Sequence, residues 1–497
     1  MQYRSTRNSQ LNVASAMAIK TGLSPEGGLF LPESIPDLTT KEIGELTNMS
    51  YQERAINILS RFLTDFTLDE VIRCVNSAYT REKFETDAIA PVYKLNDQVY
   101  FLELWHGPTC AFKDMALQIL PHLLSTSIKK TGETKEIVIL VATSGDTGKA
   151  ALEGFKDVPG TRIIVFYPAN GVSDIQKRQM ITQEGNNVDV AAVNGNFDDA
   201  QSGVKKIFTD EEYKELLGRN DFLLSSANSI NWGRLVPQIV YYFSAYANLV
   251  KSGEITLGDK INFVVPTGNF GNILAGYYAK RMGLPVNKLI CASNENNVLT
   301  DFINTGVYDK NRAFKTTTSP SMDILISSNL ERLLYLITED DKKVSAWMDA
   351  LKADGKYEVT EDVKKEVLDA FYAGFCDDND TKDEISAVFK EYGYVMDTHT
   401  AVAKRVYNDY VKETGDGTKT VIVSTASPFK FSDSVLRAVK GEITSNNEFE
   451  MLTELSEAGE MNIPKSLAEL EEKPIIFRTT CEKEEMYDVV SQMLNMA

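Results

Sequence analysis

Six short runs of β-branched and aliphatic residues punctuate the chain after about residue 95: 137–141, 162–167, 188–193, 261–265, 289–291 and 420–424. Each is nearly continuous in apolar character, and stretches with helical spacing separate them. Strands of this kind are buried on both faces, as in a parallel sheet covered by helices on either side. Before residue 95 the pattern differs. Residues 55–63 place apolar side chains at helical intervals, and the region 10–90 reads as mostly helical. The expected fold is therefore α/β, with two parallel-sheet domains and an additional N-terminal, mostly helical region. We divide the chain at 1–95, at 96–225 for a smaller α/β unit carrying Lys113, and at 226–497 for a larger one. The larger unit includes an acidic helical insert over 340–395. In sheets of this kind ligands sit beyond the carboxyl ends of the strands, so the residues following each run matter most.

Composition narrows the function classes. The chain has 497 residues, 43% hydrophobic and 25% charged, which are values of an ordinary globular protein. A formal net charge of −19 argues against nucleic acid or an anionic membrane as partner, although a local pocket can still be positive. The five cysteines are scattered and lack CxxC spacing, and only three histidines are present. That pattern reads as free thiols in a reducing compartment, with no metal centre. The N-terminus has no apolar core of a signal peptide and no run approaches a membrane span, so a cytoplasmic protein is expected. The acidic tract 377–380 fails the EF-hand template, because Lys382 stands at the glycine position and Val388 at the final glutamate. It reads as a solvated loop ahead of a helix.

The segment 105–114 is the most informative. Gly107-Pro108 forms a turn, Trp105 and Phe112 supply apolar surface, and a helix begins just after Lys113. Desolvation disfavours an ammonium, and a neutral lysine amine can attack a carbonyl to form a Schiff base. Taken alone, the segment also fits a surface lysine paired with Asp114. Three strand-end loops bear on that choice. The loop 142–152 brings small and hydroxyl residues to the start of a helix, which suits an anion. It is not a P-loop: Thr143 occupies the first glycine position and Ala150 the magnesium-ligand position. The loop 266–276 is a glycine-rich turn between strand and helix, a second phosphate cradle without GxGxxG spacing. After the last run, 424–430 places hydroxyls at a strand end, where one can meet a heteroaromatic nitrogen. A fourth element, 226–234, gathers amide, hydroxyl and guanidinium groups, with Arg234 suited to a phosphate or carboxylate.

Together these pieces resemble the threonine synthases, a family of fold type II, tryptophan-synthase-β-like pyridoxal-phosphate enzymes. The matching residues are Tyr3 to Arg7, Gly27 to Pro32, His106 to Thr109 with Phe112-Lys113-Asp114, Thr143 to Gly148, Asn228 to Arg234, Gly268 to Asn272, and Ser424 to Ala426. They follow the family's order and span about residues 1 to 430. Two departures are visible: Thr398 stands where a proline is usual, and Ser427 replaces a common histidine.

The resemblance implies that Lys113 forms the Schiff base with pyridoxal 5′-phosphate. It implies that Gly268, Asn269, Phe270, Gly271 and Asn272 hold the cofactor phosphate. Asp146 is expected near the cofactor's 3′-hydroxyl, and Thr425 at its pyridine nitrogen. Thr143, Ser144, Thr147, Asn228, Ser229 and Arg234 are expected to receive the substrate, Ser229 and Arg234 chiefly through its phosphate. The implied reaction converts O-phospho-L-homoserine and water to L-threonine and phosphate by β,γ-elimination and replacement, the last step of threonine biosynthesis. Residue 113 would shuttle protons and a small domain would close to exclude water. The protein would work as a monomer or homodimer. Competing readings are a simpler β-eliminase on the same scaffold and a non-catalytic binding protein that retains it.

Overall fold

A computed structural model of the chain describes residues 1–143, 145–170 and 172–496. Ser144, expected at the substrate, lies outside the described residues.

All six apolar runs form strands of two sheets. The larger sheet orders Phe371–Phe375, Val286–Ser293, Ile261–Pro266, Thr420–Ser424, Val99–Glu103 and Val92–Lys94 side by side. All pairings are parallel except that of the edge strand Val92–Lys94 with Val99–Glu103. The smaller sheet orders Thr479–Cys481, Val188–Val193, Thr161–Pro168, Glu136–Ala142 and Phe222–Ser225, all parallel. Ile139 pairs with Ile163 and Val264 with Ile422, so the strands' aliphatic centres lie in register. These residues have no exposed surface, which is why the strands carry no alternating polar positions.

The sheets correct the division drawn from sequence. Strands Val92–Lys94 and Val99–Glu103 join the larger sheet, so a boundary at 96 followed by a smaller unit does not follow the hydrogen bonding. The chain's end returns to the smaller sheet through Thr479–Cys481. The segment 340–395 is not purely helical either. Between helices Glu361–Ala370 and Asp378–Tyr392 it supplies Phe371–Phe375, the edge of the larger sheet. Asp377 caps the second of these helices through Asp380 N–H, and residues 378–380 form its first turn, so the acidic tract opens the helix and is not a loop ahead of it.

The N-terminal region holds four α-helices, three of them, Thr40–Glu45, Tyr51–Phe62 and Leu68–Ala78, opened by capping boxes (Thr39 with Glu42, Ser50 with Glu53, Thr67 with Glu70). It also forms a three-stranded antiparallel sheet from Asn8–Val13, Tyr3–Ser5 and Phe30–Pro32, which the helical reading missed. Its strands are three to six residues long, too short to show a periodicity. Helix Trp232–Lys251 forms the core of the molecule and is almost entirely buried. Trp232 meets Tyr3, Phe62 and Tyr278 edge to face, and Arg54 reaches Ser244 Oγ at 2.8 Å and Asn248 Oδ1 at 2.7 Å. Arg7 forks onto Glu331 at 2.8 and 2.7 Å, tying the N-terminal strands to helix Leu330–Thr338.

Candidate active site

The expected residues follow the carboxyl ends of five parallel strands, and the segments after Val99–Glu103, Glu136–Ala142 and Thr420–Ser424 meet directly, through Lys113, Asp146 and Lys430. After Val99–Glu103 the chain turns through 104–113 and lies against the loop that follows Thr420–Ser424. Phe112 N–H donates to Thr425 carbonyl at 2.8 Å, Ser427 N–H to Cys110 carbonyl at 3.0 Å, and Ala111 bridges Ala426. Gly107 allows this turn to close, since a Cβ there would sit 2.6 Å from the Asp114 carboxylate. Asp114 is buried and accepts from Thr109 N–H and hydroxyl, each at 2.8 Å. Burial nonetheless pushes its pKa up to about 7. These bonds fix Lys113 at the N-cap of the short helix Asp114–Leu117.

The Lys113 ammonium is disfavoured by burial, which lowers its pKa; Asp146 opposes that shift, and the cations of Arg234 and Lys430 add to it. Its Nζ donates to Ser321 Oγ at 3.2 Å and lies 4.0 Å from Asp146 Oδ2. A surface lysine paired with Asp114 is thereby excluded. Asp146 opens helix Asp146–Phe155 and is also buried. Two lysine cations, Lys430 foremost, hold its carboxyl well below the ordinary carboxylate range, against the penalty of burial. It remains an anion.

The phosphate-type loop is built from the next strand end. Phe270 adopts a left-handed conformation at φ 62° to open helix Gly271–Arg281. A Cβ on Gly268 would stand 2.7 Å from the Ser321 carbonyl, so only glycine fits there. Asn329 stitches this loop to the 226–231 turn: its side-chain amide donates to Asn269 carbonyl at 3.0 Å and Ser229 carbonyl at 3.2 Å. Tyr241 and Tyr242 donate to Asn272 Oδ1 at 2.6 and 2.8 Å, which leaves Asn272 Nδ2 buried with no partner. Arg234 is buried, donates to Ala227 carbonyl at 3.0 Å, and has an unpartnered Nε. Burial alone lowers its pKa from 12.5 to about 10. Buried donors without acceptors are costly, and here both an amide and a guanidinium are in that condition. An anionic group fits the residues present.

The remaining expected residues are less uniform. Thr143 is buried, and its hydroxyl is committed to its own loop, accepting from Gly145 and Gly148 N–H at 3.0 Å. Thr147 is half-buried in the first turn of its helix. Asn228 is exposed on the turn, and Ser229 Oγ lies 3.3 Å from Ser328 Oγ. Thr425 is buried at its strand end. Sequence reasoning missed Ser321, Asn329, His399 and the role of Lys430. His399 accepts from Ser321 N–H at 3.2 Å through Nε2 and faces Asp397 Oδ1 at 3.0 Å through Nδ1. Lys430 Nζ lies 2.9 Å from Asp146 Oδ1. Lys430 ends a loop noted for hydroxyls, and 319–322 follows no strand run; neither carried a sequence signal.

Three family models match successive parts of the chain: threonine synthase N terminus over residues 2–79, pyridoxal-phosphate dependent enzyme over 85–426, and threonine synthase C-terminal over 400–490. Threonine synthase-like 1 of Homo sapiens is 41% identical over 435 residues; the match covers 85% of this chain and 58% of that protein. The chain thus spans somewhat over half the length of that relative. Threonine synthase of Pseudomonas aeruginosa is 39% identical over 443 residues, covering 89% of this chain and 91% of that protein. The crystal structure of PLP-bound threonine synthase from Brucella melitensis superimposes with a TM-score of 0.88 at 36% identity, covering 99% of both chains.

Proposed function

The chain belongs to the threonine synthase family of pyridoxal-phosphate-dependent enzymes, and we propose that it converts O-phospho-L-homoserine and water into L-threonine and phosphate. The observation that carries this reading is a desolvated amine, Lys113, in one site with a buried guanidinium, Arg234, whose Nε has no partner. One supplies the nucleophile that holds an aldehyde, and the other supplies a place for an anion.

In this reading the backbone amides of Gly268 to Asn272 and the Asn272 side chain hold the cofactor phosphate at a helix N-terminus. Asp146 would serve the cofactor's 3′-hydroxyl and Thr425 its pyridine nitrogen. Bound at Lys113, the cofactor supplies an electron sink for loss of the substrate's Cα proton. When its amine is free, Lys113 would be a tethered base, disfavoured as an ammonium by burial, whose Nζ takes and returns protons. Ser321 Oγ, which accepts from Nζ at 3.2 Å, orients the amine. Arg234 and Ser229 receive the substrate phosphate and stabilise charge as it departs, and Thr147 and Asn228 receive the rest of the substrate. Thr143 shapes the loop that presents Thr147. We further infer a protein acting on small molecules only, as a monomer or homodimer in the cytoplasm. The net charge of −19 and five buried free cysteines support that inference, and among the described residues no helix is long and apolar enough to cross a membrane.

The test is incubation of the cofactor-loaded protein with O-phospho-L-homoserine, followed by product analysis. Threonine and phosphate in equal amounts are expected, and Lys113→Ala should lose at least about a thousandfold in kcat. Phosphate released together with 2-oxobutyrate would assign an eliminase instead. Undiminished turnover by Lys113→Ala would remove the reading altogether.

A further inference from the structure

Lys430 has no exposed side-chain surface, yet no step above uses it. It lies in the turn Pro428–Phe431, just beyond the carboxyl end of Thr420–Ser424 in the larger sheet. Its Nζ reaches two helices that cover the smaller sheet. One contact is Asp146 Oδ1 at 2.9 Å, at the start of helix Asp146–Phe155. The other is Gln179 Oε1 at 2.8 Å, on helix Asp174–Ile181. Gln176, from the same helix as Gln179, donates to Asp146 Oδ1 at 3.1 Å. Gly145 makes room for that amide, since a Cβ there would lie 2.4 Å from it. One carboxylate oxygen is thus taken by Lys430 and Gln176, and the other, Oδ2, is left 4.0 Å from Lys113 Nζ.

A carboxylate on a short side chain can rotate, and a buried one beside a single amine would close onto it. The observed geometry is a carboxylate held back by a second cation, so that its remaining oxygen faces the reacting nitrogen without a direct bond. We propose that Lys430 is a positioning residue, which locks Asp146 across the two sheets and aims its free oxygen at the nitrogen of Lys113. This rests on the reading above that Lys113 carries the cofactor. The charged groups facing Lys113 are Asp146, Arg234, Lys430 and Asp114, so the effect of one must be separated from the rest.

The experiment is a double-mutant cycle on the cofactor-loaded enzyme: parent, Lys430→Met, Asp146→Asn and the double variant. The readout is the pH midpoint of the cofactor's visible absorbance, with thermal melting as the fold check. Lys430→Met should move the midpoint by about one pH unit. In the Asp146→Asn background the same substitution should move it by less than about 0.3, because Lys430 acts through the carboxylate. Equal shifts in both backgrounds, or no shift in either, would overturn the proposal. A structural loosening would give equal shifts. Should Lys430→Met not fold, Lys430→Gln, which keeps a donor without the charge, replaces it in the cycle. Borohydride reduction of the parent followed by peptide mass analysis keeps the two claims apart. A peptide containing Lys113 without added cofactor mass would overturn the reading beneath the proposal, whereas a labelled peptide with an additive cycle would overturn only the role of Lys430.

Discussion

Arg234 permits a prediction of unusual sign. Its guanidinium is buried, has one backbone partner, and is depressed from 12.5 to about 10 by burial alone. At about 1.36 kcal/mol per unit, holding that charge costs the free protein roughly 3 kcal/mol. The unfolded state binds the proton more tightly, so the cost is felt wherever both states are charged. It is flat below about pH 10 and cannot vary between pH 6 and 9. Arg234→Met keeps most of the side chain's volume and removes the charge. With an unfolding entropy near ~2.1 cal/mol/K per residue, ~3 kcal/mol corresponds to about 3 °C for a chain of 497 residues. The variant should therefore melt at or up to about 3 °C above the parent in anion-free buffer. Phosphate should shift that difference by about as much in the parent's favour. The cofactor-loaded protein is used so that the 268–272 loop is already filled. At a concentration near one hundred times Kd the parent gains about 2.7 kcal/mol, again about 3 °C, and the variant gains nothing. Differential scanning calorimetry at pH 6, 7.5 and 9, with and without inorganic phosphate, reads all of this. If Arg234→Met melted several degrees lower without anion and still responded fully to phosphate, Arg234 would be a packing residue and the assignment would be wrong.

Two further outcomes follow from the same geometry. Asp114 has a pKa near 7 when folded, so the folded state binds its proton more tightly than the unfolded state between about pH 4 and 7. Stability should fall through that window by up to roughly 4 kcal/mol as pH rises, and Asp114→Asn, which can keep both Thr109 contacts, should flatten the fall; urea midpoints at pH 5 and 7.5 check it, and an unchanged slope counts against the buried acid. Gly268→Ala places a Cβ 2.7 Å from the Ser321 carbonyl, so the loop or the 319–322 turn must shift; cofactor affinity should drop at least about tenfold, read by absorbance after dialysis, and full retention would mean that the loop does not hold the phosphate.

What the sequence disclosed here depends on how far each signal reaches along the chain. Strand 137–141 is legible because burial on both faces demands uninterrupted apolar residues, a requirement written into five neighbouring positions. Strand Val99–Glu103 is equally buried but mixes Tyr100 and Glu103 with its aliphatic residues, and Glu103 is tolerated because His106 and Tyr394 each meet it at 2.8 Å. Those partners come from a distant helix boundary and a tight turn, so the pattern conceals what the fold repairs. Phe371–Phe375 was hidden for the opposite reason: acidic helices on either side of it dominate the composition of 340–395. The site shows the same division. Lys113 and the 268–272 loop are local motifs, in which glycine positions and helix starts express backbone geometry directly. The group that completes the charge balance is not local, because Lys430 and Asp146 are 284 positions apart and meet only when the ends of two sheets face one another. A lone buried lysine is among the least probable things a sequence can announce, since its burial is tolerable only with a carboxylate supplied from elsewhere. An anion held between two cations therefore has to be found in three dimensions.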